Sequence, residues 1–334
     1  MTAPCTLFSC QPGFEPLLAA ELRSPGIRLI EQGSGWGIAQ VPGMTFDCCF
    51  AHHALINSRE VVGKSVNALA SAIVDFFLQS MRDERIDAQW PSIFRGASVE
   101  GLQSRVNSVE KAWREDAGSK MSRVVKLAQP VFPPSSGAVR GLFAYFVDFN
   151  RCFVSRECWH GGQRRMKDDS RAPSRSYLKV EEAYGILAKY PQPGETVADL
   201  GAAPGGWSYS AAQYGAQVCA IDNGPLTAGA RDHSRIEHLR EDAFAFHPRP
   251  GERYDWLFCD MVEDPFRVLD VLKRWIDHQW CRLFIVNLKF GRTDPIALLE
   301  VVRKTPLITN RCSGVRIRHL YHDRDEFTVA GVVA

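Results

Sequence analysis

The pattern of hydrophobic and polar positions changes character near residue 165. Beyond it, short β-branched or aromatic runs alternate with helical stretches. Thr196-Val-Ala-Asp-Leu200 predicts a strand and 206–214 a helix. Gln217-Val-Cys-Ala-Ile-Asp222 predicts a second strand, and Tyr254-Asp-Trp-Leu-Phe-Cys-Asp260 a third. Within 265–279, Phe266, Leu269, Leu272 and Ile276 recur at helical spacing and predict one buried helix face. A strand over 282–288 and a helix over Pro295–Lys304 follow. Such alternation predicts a parallel sheet covered on both faces. The end departs from it: 315–321 and Glu326–Val333 read as two strands joined by polar His322-Asp-Arg-Asp325, a hairpin. The expected fold class is α/β, a Rossmann-like sheet finished by an antiparallel hairpin.

The first 165 residues are more mixed. A helix is predicted from Pro16, short strands over 27–30 and 36–41, and helices over 68–81 and 99–117. In the last of these, Leu102, Val106, Val109 and Trp113 share a face. A turn-rich break at 130–137 precedes a strand pair, or one long strand, over 142–154. A length of 334 residues fits about two domains.

With 45% hydrophobic and 23% charged residues, a disordered chain is excluded. The net charge of +2 at first argues against a nucleic-acid partner. The distribution of charge reverses that. Residues 151–179 hold Arg151, Arg156, Arg164, Arg165, Lys167, Arg171, Arg175 and Lys179 against Glu157, Asp168 and Asp169. Phe153, Trp159, His160 and Tyr177 are interleaved. Cations for phosphates and aromatics for bases are what looped RNA requires.

The ten cysteines show no Cys-x-x-Cys and no zinc-ligand spacing, so no metal is expected. Cys219, Cys259 and Cys281 lie in apolar runs and read as small buried hydrophobes, and reduced thiols suit the cytoplasm. The opening Met1-Thr-Ala-Pro-Cys-Thr-Leu-Phe lacks a basic stretch followed by an apolar one, so no signal peptide is expected. Ser71 and Asp75 interrupt the apolar run at 68–78, and no run reaches the roughly 18–20 residues of a membrane span. Neither a membrane nor an obligate protein partner is expected.

The densest signal is Asp199-Leu-Gly-Ala-Ala-Pro-Gly-Gly-Trp207, a strand running into a glycine turn and then a helix. Such a turn, at the carboxyl end of a sheet strand, lets a ligand approach the backbone. It is not Gly-x-Gly-x-x-Gly, and Asp199 stands where a diphosphate would be repelled. A cationic ligand is favoured. S-adenosylmethionine carries a sulfonium and an ammonium and no phosphate. Gly201, Ala203, Pro204, Gly205, Gly206 and Trp207 are its candidate contacts, with Asp199. Asp222 ends the second strand, where a carboxylate can accept ribose hydroxyls. Asp242 follows the next strand-like stretch, within reach of an adenine amino group. In the alternative, Asp222 and Asp242 cap turns.

Four more residues stand at strand or helix ends: Lys179, Asp260, Lys289 and Glu326. In a doubly wound sheet such ends converge on one crevice. They suit methyl transfer to a ribose 2′-hydroxyl, a poor nucleophile that must lose its proton. A free lysine, with a pKa of about 10.4, is protonated and useless as a base. A neighbouring ammonium and partial burial lower it. Lys289 is the expected base, and Lys179 would depress its pKa and steady the oxygen. Asp260, also a candidate cofactor contact, and Glu326 would orient the lysines.

The glycine turn with these four residues resembles the FtsJ-type family of RNA ribose 2′-O-methyltransferases. The stretches Ala172-Pro-Ser-Arg-Ser-Tyr-Leu-Lys-Val-Glu-Glu-Ala183 and Asn287-Leu-Lys-Phe290 resemble a branch with a long N-terminal region that modifies a cytidine of 23S rRNA. The resemblance implies a class I methyltransferase sheet over 166–334, S-adenosylmethionine as cofactor, 23S rRNA as partner and Ser170 as a further cofactor contact. Cys10-Gln-Pro-Gly-Phe-Glu-Pro-Leu-Leu-Ala-Ala-Glu-Leu22 is similar to the opening of ferredoxin-like domains that precede THUMP domains. That implies an α+β ferredoxin-like part over 1–60 and a THUMP-like RNA-binding part over 61–165.

Other readings remain. An RNA m5C methyltransferase can share Ala-Ala-Pro-Gly-Gly but needs a nucleophilic cysteine, and Cys259 follows Phe258 inside a strand. Base N-methylation uses an Asn/Asp-Pro-Pro-aromatic loop, where this chain has Cys259-Asp-Met-Val262. An RNA-binding protein with an inactive methylase fold would not need the tetrad. A nucleotide-dependent oxidoreductase is disfavoured by the glycine pattern.

Overall fold

The computed structural model describes residues 5–41, 47–82, 84–134 and 136–334. The reading of the first four residues lies outside these. Two compact units meet between Gly162 and Gln163.

In the N-terminal unit the elements are β1 (Cys5–Ser9), α1 (Glu15–Arg23), β2 (Leu29–Gly33), β3 (Trp36–Ala39), β4 (His53–Val62) and α2 (Val66–Ser80). Then come β5 (Trp90–Gly96), α3 (Leu102–Lys126), β6 (Ala128–Gln129), β7 (Gly137–Phe146) and β8 (Arg151–His160). All the strands join one sheet in the order β2-β3-β1-β4-β8-β7-β5-β6. The expected boundary between residues 60 and 61 therefore falls inside β4, a central strand paired with both β1 and β8. The expected helix at 99–117 starts at Leu102 and runs on to Lys126, and its four-residue face is fully buried. That face meets Phe77 of α2 and Trp90 and Phe94 of β5. Phe77 stacks on Trp90 with centroids 5.0 Å apart, and Trp113 meets Phe77 edge-on at 6.1 Å.

The C-terminal unit contains α4 (Tyr177–Leu187), β9 (Thr196–Leu200), α5 (Gly206–Gln213), β10 (Gln217–Ile221), β11 (Ile236–Leu239) and β12 (Tyr254–Cys259). It continues with α6 (Pro265–Asp277), β13 (Cys281–Lys289), α7 (Pro295–Lys304), α8 (Pro306–Arg311), β14 (Cys312–Arg318) and β15 (Glu326–Val333). The sheet order is β11-β10-β9-β12-β13-β15-β14. β11 to β13 are parallel, and β15 is antiparallel to both β13 and β14. The expected α/β sheet with its closing hairpin is the fold observed. Strict strand–helix alternation is not. Only a 3-10 turn, Ala228–Ala230, lies between β10 and β11, and no α-helix joins β11 to β12.

Local chemistry sets the helix starts. Asp264 and Asp294 accept backbone N–H bonds from the first turns of α6 and α7, and a proline follows each. On α6 the buried stripe is Val268, Leu269, Val271, Leu272, Trp275 and Ile276. Phe266, expected on that face, is exposed because it sits in the first turn, off the stripe.

From β9 the chain winds outward through β10 and β11, then returns to β12 on the other side of β9. The carboxyl ends of β9 and β12 therefore flank a topological switch point, where open α/β sheets form their crevice. No helix of the described residues is long and apolar enough to cross a membrane.

Replacing the fully buried Trp113 by alanine is expected to cost about 3–5 kcal/mol. Urea unfolding followed by circular dichroism would read this as a lowered midpoint.

Candidate active site

The glycine turn leaves the carboxyl end of β9 at the switch point. Gly201 (φ +72°) and Gly205 (φ +106°) adopt left-handed backbone that side chains disfavour. A Cβ on Gly201 would lie 2.3 Å from Met261 Cγ, and one on Gly205 2.5 Å from Ala230 Cβ. The turn is thus pressed against the loops after β12 and β10. Asp222 secures it: one carboxylate oxygen accepts from Ala203 N at 3.0 Å, the other from Gly224 N at 2.7 Å. Thr227 N donates to the Pro204 carbonyl at 3.0 Å.

Of the other expected cofactor contacts, Asp199 is buried and accepts the Ser208 hydroxyl at 2.6 Å, which anchors α5 to β9. Trp207 is also buried, and its indole N–H donates to the Ser176 carbonyl at 2.9 Å. Its ring lies in the core against Phe258, so the side chain faces no open crevice. Asp242 is exposed and caps its own turn through Phe244 N at 2.9 Å. Ser170 is exposed. Its neighbours are pinned by the Tyr209 hydroxyl on Asp169 at 3.0 Å and by Gly229 N on the Arg171 carbonyl at 3.1 Å.

Lys179, Asp260, Lys289 and Glu326 form one continuous ion-paired chain. Lys179 Nζ lies 2.7 Å from Glu326 and 3.6 Å from Asp260. Lys289 Nζ donates to the Asp260 carboxylate at 2.5 Å and to its carbonyl at 2.6 Å. Burial alone would lower the pKa of Lys179. The carboxylates of Asp260 and Glu326 outweigh it and raise the pKa above the usual lysine value. Lys179 is therefore a fixed cation.

Several supporting residues carried no expected role. Asn287 Nδ2 donates to Asp260 Oδ1 at 3.0 Å, and the Thr328 hydroxyl lies 2.6 Å from Asn287 Oδ1 and 3.2 Å from Asp323 Oδ2. Glu182, one helical turn after Lys179 on α4, accepts from Arg164 N and Tyr321 N, both at 3.0 Å. It ties the stretch before α4 to the β14–β15 loop, and burial pushes its carboxyl well above the usual range. The signal was present in the sequence as polar residues inside apolar runs: Asn287 within β13 and Thr328 within β15.

The basic stretch 151–179 divides in the structure. Arg151 is bound by Glu31 and Glu60. Arg156 is buried, pairs with Glu84 at 3.1 Å and lies over the Phe77 ring. Phe153, His160 and Tyr177 are buried, so they offer no face to a base, and Trp159 is half-buried. The expectation of an aromatic-studded RNA surface is corrected here, because 151–160 is a central strand. Arg164, Arg165, Lys167, Arg171 and Arg175 are exposed, with Arg171 on Asp169 and Arg175 on Asp168. Cys259 is buried, and burial pushes its thiol up to about 12, which leaves it a poor nucleophile at neutral pH.

Burial lifts the Asp199 carboxyl to about 7, more than the Ser208 hydroxyl lowers it. The folded state then keeps a proton that the unfolded chain releases from about pH 4. Its contribution to stability is greatest below that pH and is lost as pH rises through about 7. Asp199→Asn, which can still accept from Ser208, should lose less stability than the native chain between pH 5 and 8. A difference of about 1 kcal/mol or more in urea unfolding is expected.

Comparison with known proteins matches the description FtsJ-like methyltransferase to residues 172–294. Ribosomal RNA large subunit methyltransferase M of Aggregatibacter aphrophilus is 32% identical over 365 residues, covering 96% of this chain and 97% of that protein. Its namesake in Haemophilus influenzae strain PittGG is 30% identical, with 96% of each covered. The Halorhodospira halophila protein of that name is 43% identical over 198 residues, 57% of each chain. The chain belongs to the ribosomal RNA large subunit methyltransferase M family.

Proposed function

We propose that this protein methylates the ribose 2′-hydroxyl of a cytidine in 23S rRNA, with S-adenosylmethionine as methyl donor. The observation that carries the reading is the Lys179–Glu326 and Lys289–Asp260 ion-pair chain, which joins the carboxyl ends of β12 and β13 to the start of β15 and the first turn of α4.

The glycine turn fits such a donor. Gly201 and Gly205 let the turn fold tightly against the loops after β12 and β10. Each Asp222 oxygen accepts one backbone N–H and keeps a lone pair for a ribose hydroxyl. Gly201, Ala203, Pro204, Gly205 and Gly206 would line the donor and Asp222 would hold its ribose, with Asp242 and Ser170 at the margin. S-adenosylmethionine supplies an electrophilic methyl on a sulfonium sulfur.

The chain's own residues do the rest. Lys289, as the neutral amine, would take the proton of the 2′-hydroxyl while that oxygen bonds to the methyl carbon and the methyl–sulfur bond breaks, releasing the neutral thioether. Lys179, held cationic, stabilises the negative charge developing on the oxygen. Asp260 and Glu326 fix the two amines so that the hydroxyl is aligned for attack. Alignment of this kind lowers barriers by several kcal/mol, up to about 7–11 in the best cases. The buried, high-pKa thiol of Cys259 weighs against the m5C alternative, and the intact tetrad against an inactive fold.

The N-terminal unit is read as the part that holds the RNA. The relatives align across 96% of the chain, so this unit accompanies the methyltransferase unit in them.

Lys289→Ala should lower methyl transfer to unmodified 23S rRNA about 10²–10⁴-fold. Affinity for S-adenosylmethionine, read by calorimetry, should stay within about threefold. Near-normal transfer by this variant would remove Lys289 as the base.

A further inference from the structure

We propose that Asn287 and Thr328 are positioning residues for methyl transfer, joined in a hydrogen-bond chain of fixed direction that holds the Asp260 carboxylate against Lys289. The proposal rests on the reading of Lys289 as the base.

The placement follows from strand geometry. Asn287 and Lys289 are two residues apart on β13 and share a face. Across the antiparallel ladder, Lys289 is paired with Glu326 and Asn287 with Thr328. The polar pair thus lies one step behind the ionic pair. Asn287, Thr328 and Asp323 are all buried to within 2% of complete.

The direction of the chain follows outward from Asp260. An ionised Asp260 can only accept, so Asn287 must present its NH₂ to it, and Nδ2 lies 3.0 Å from Oδ1. The Asn287 carbonyl oxygen is then an acceptor, filled by the Thr328 hydroxyl at 2.6 Å. The same Thr328 hydroxyl also lies 3.2 Å from Asp323 Oδ2. Burial raises the Asp323 carboxyl well above the ordinary range. Leu320 N also donates to Asp323 Oδ2, at 2.9 Å. The Asn287 amide thus holds the same Asp260 oxygen that receives Lys289 Nζ. No proton travels along the chain. It acts by orientation.

A purely structural role would also satisfy these buried polar atoms, so the test separates the two. Single-turnover transfer from S-adenosylmethionine to unmodified 23S rRNA is measured for the native chain, Lys289→Ala, Thr328→Val and Thr328→Ser. Val keeps the shape and loses the hydroxyl, whereas Ser keeps the hydroxyl and loses a methyl group. Positioning predicts a fall of about tenfold or more for Val and less than about threefold for Ser. KM for S-adenosylmethionine should remain within about twofold in both. If the Val variant does not fold, Thr328→Ala against Thr328→Ser compares two variants that both lack the methyl group and differ in the hydroxyl, with the same order expected. Equal rates in Val and the native chain, or equal losses in Ser and Ala, overturn the proposal. Full activity in Lys289→Ala overturns the reading beneath it. Loss there with native activity in Thr328→Val overturns the positioning chain alone.

Discussion

The site depends on one strand register. β15 runs antiparallel into β13, so Lys289 faces Glu326 and Asn287 faces Thr328. A slip of β15 by one residue would turn Glu326 and Thr328 to the other face of the sheet, away from Lys289 and Asn287. Buried charge makes that register hard to leave. Lys179 and Glu326 are nearly inaccessible, and an ion taken from water without a partner costs several kcal/mol. Here each lysine amine has a carboxylate within 2.7 Å, and each carboxylate reaches a lysine. The hairpin that ends the chain therefore does more than complete the sheet. It delivers Glu326 and Thr328 to a crevice built by β9, β12 and β13.

The C-terminal unit was legible because its signals are local. Glycines at φ +72° and +106° mark the turn after β9, and the Asp-Pro pairs at 264–265 and 294–295 mark helix starts. The tetrad was legible as four charged residues at element ends. Its support was not. Asn287 meets Thr328 only through the pairing of β13 and β15, and Glu182 reaches Tyr321 from α4, far away in sequence.

The N-terminal unit was less legible, for identifiable reasons. β4 opens with His53 to Ile56 buried on both faces, so it lacks alternation, and its middle is polar Asn57-Ser-Arg-Glu60. β5 contains Pro91, which argues against a strand. The expected strand pair over 142–154 stops short of the end of β8 at His160, and the arginines of β8 read as RNA contacts. In the structure Arg151 and Arg156 neutralise Glu31, Glu60 and Glu84 within the sheet, and the exposed cations lie at 164–175. Charge counted along a sequence locates a basic stretch, but burial decides which cations face a partner.

The most direct measurement is nucleoside analysis of unmodified 23S rRNA after incubation with methyl-labelled S-adenosylmethionine and the native chain. The expected result is label in 2′-O-methylcytidine at one site. Label in a methylated base, or none in the RNA, would contradict a ribose-directed tetrad.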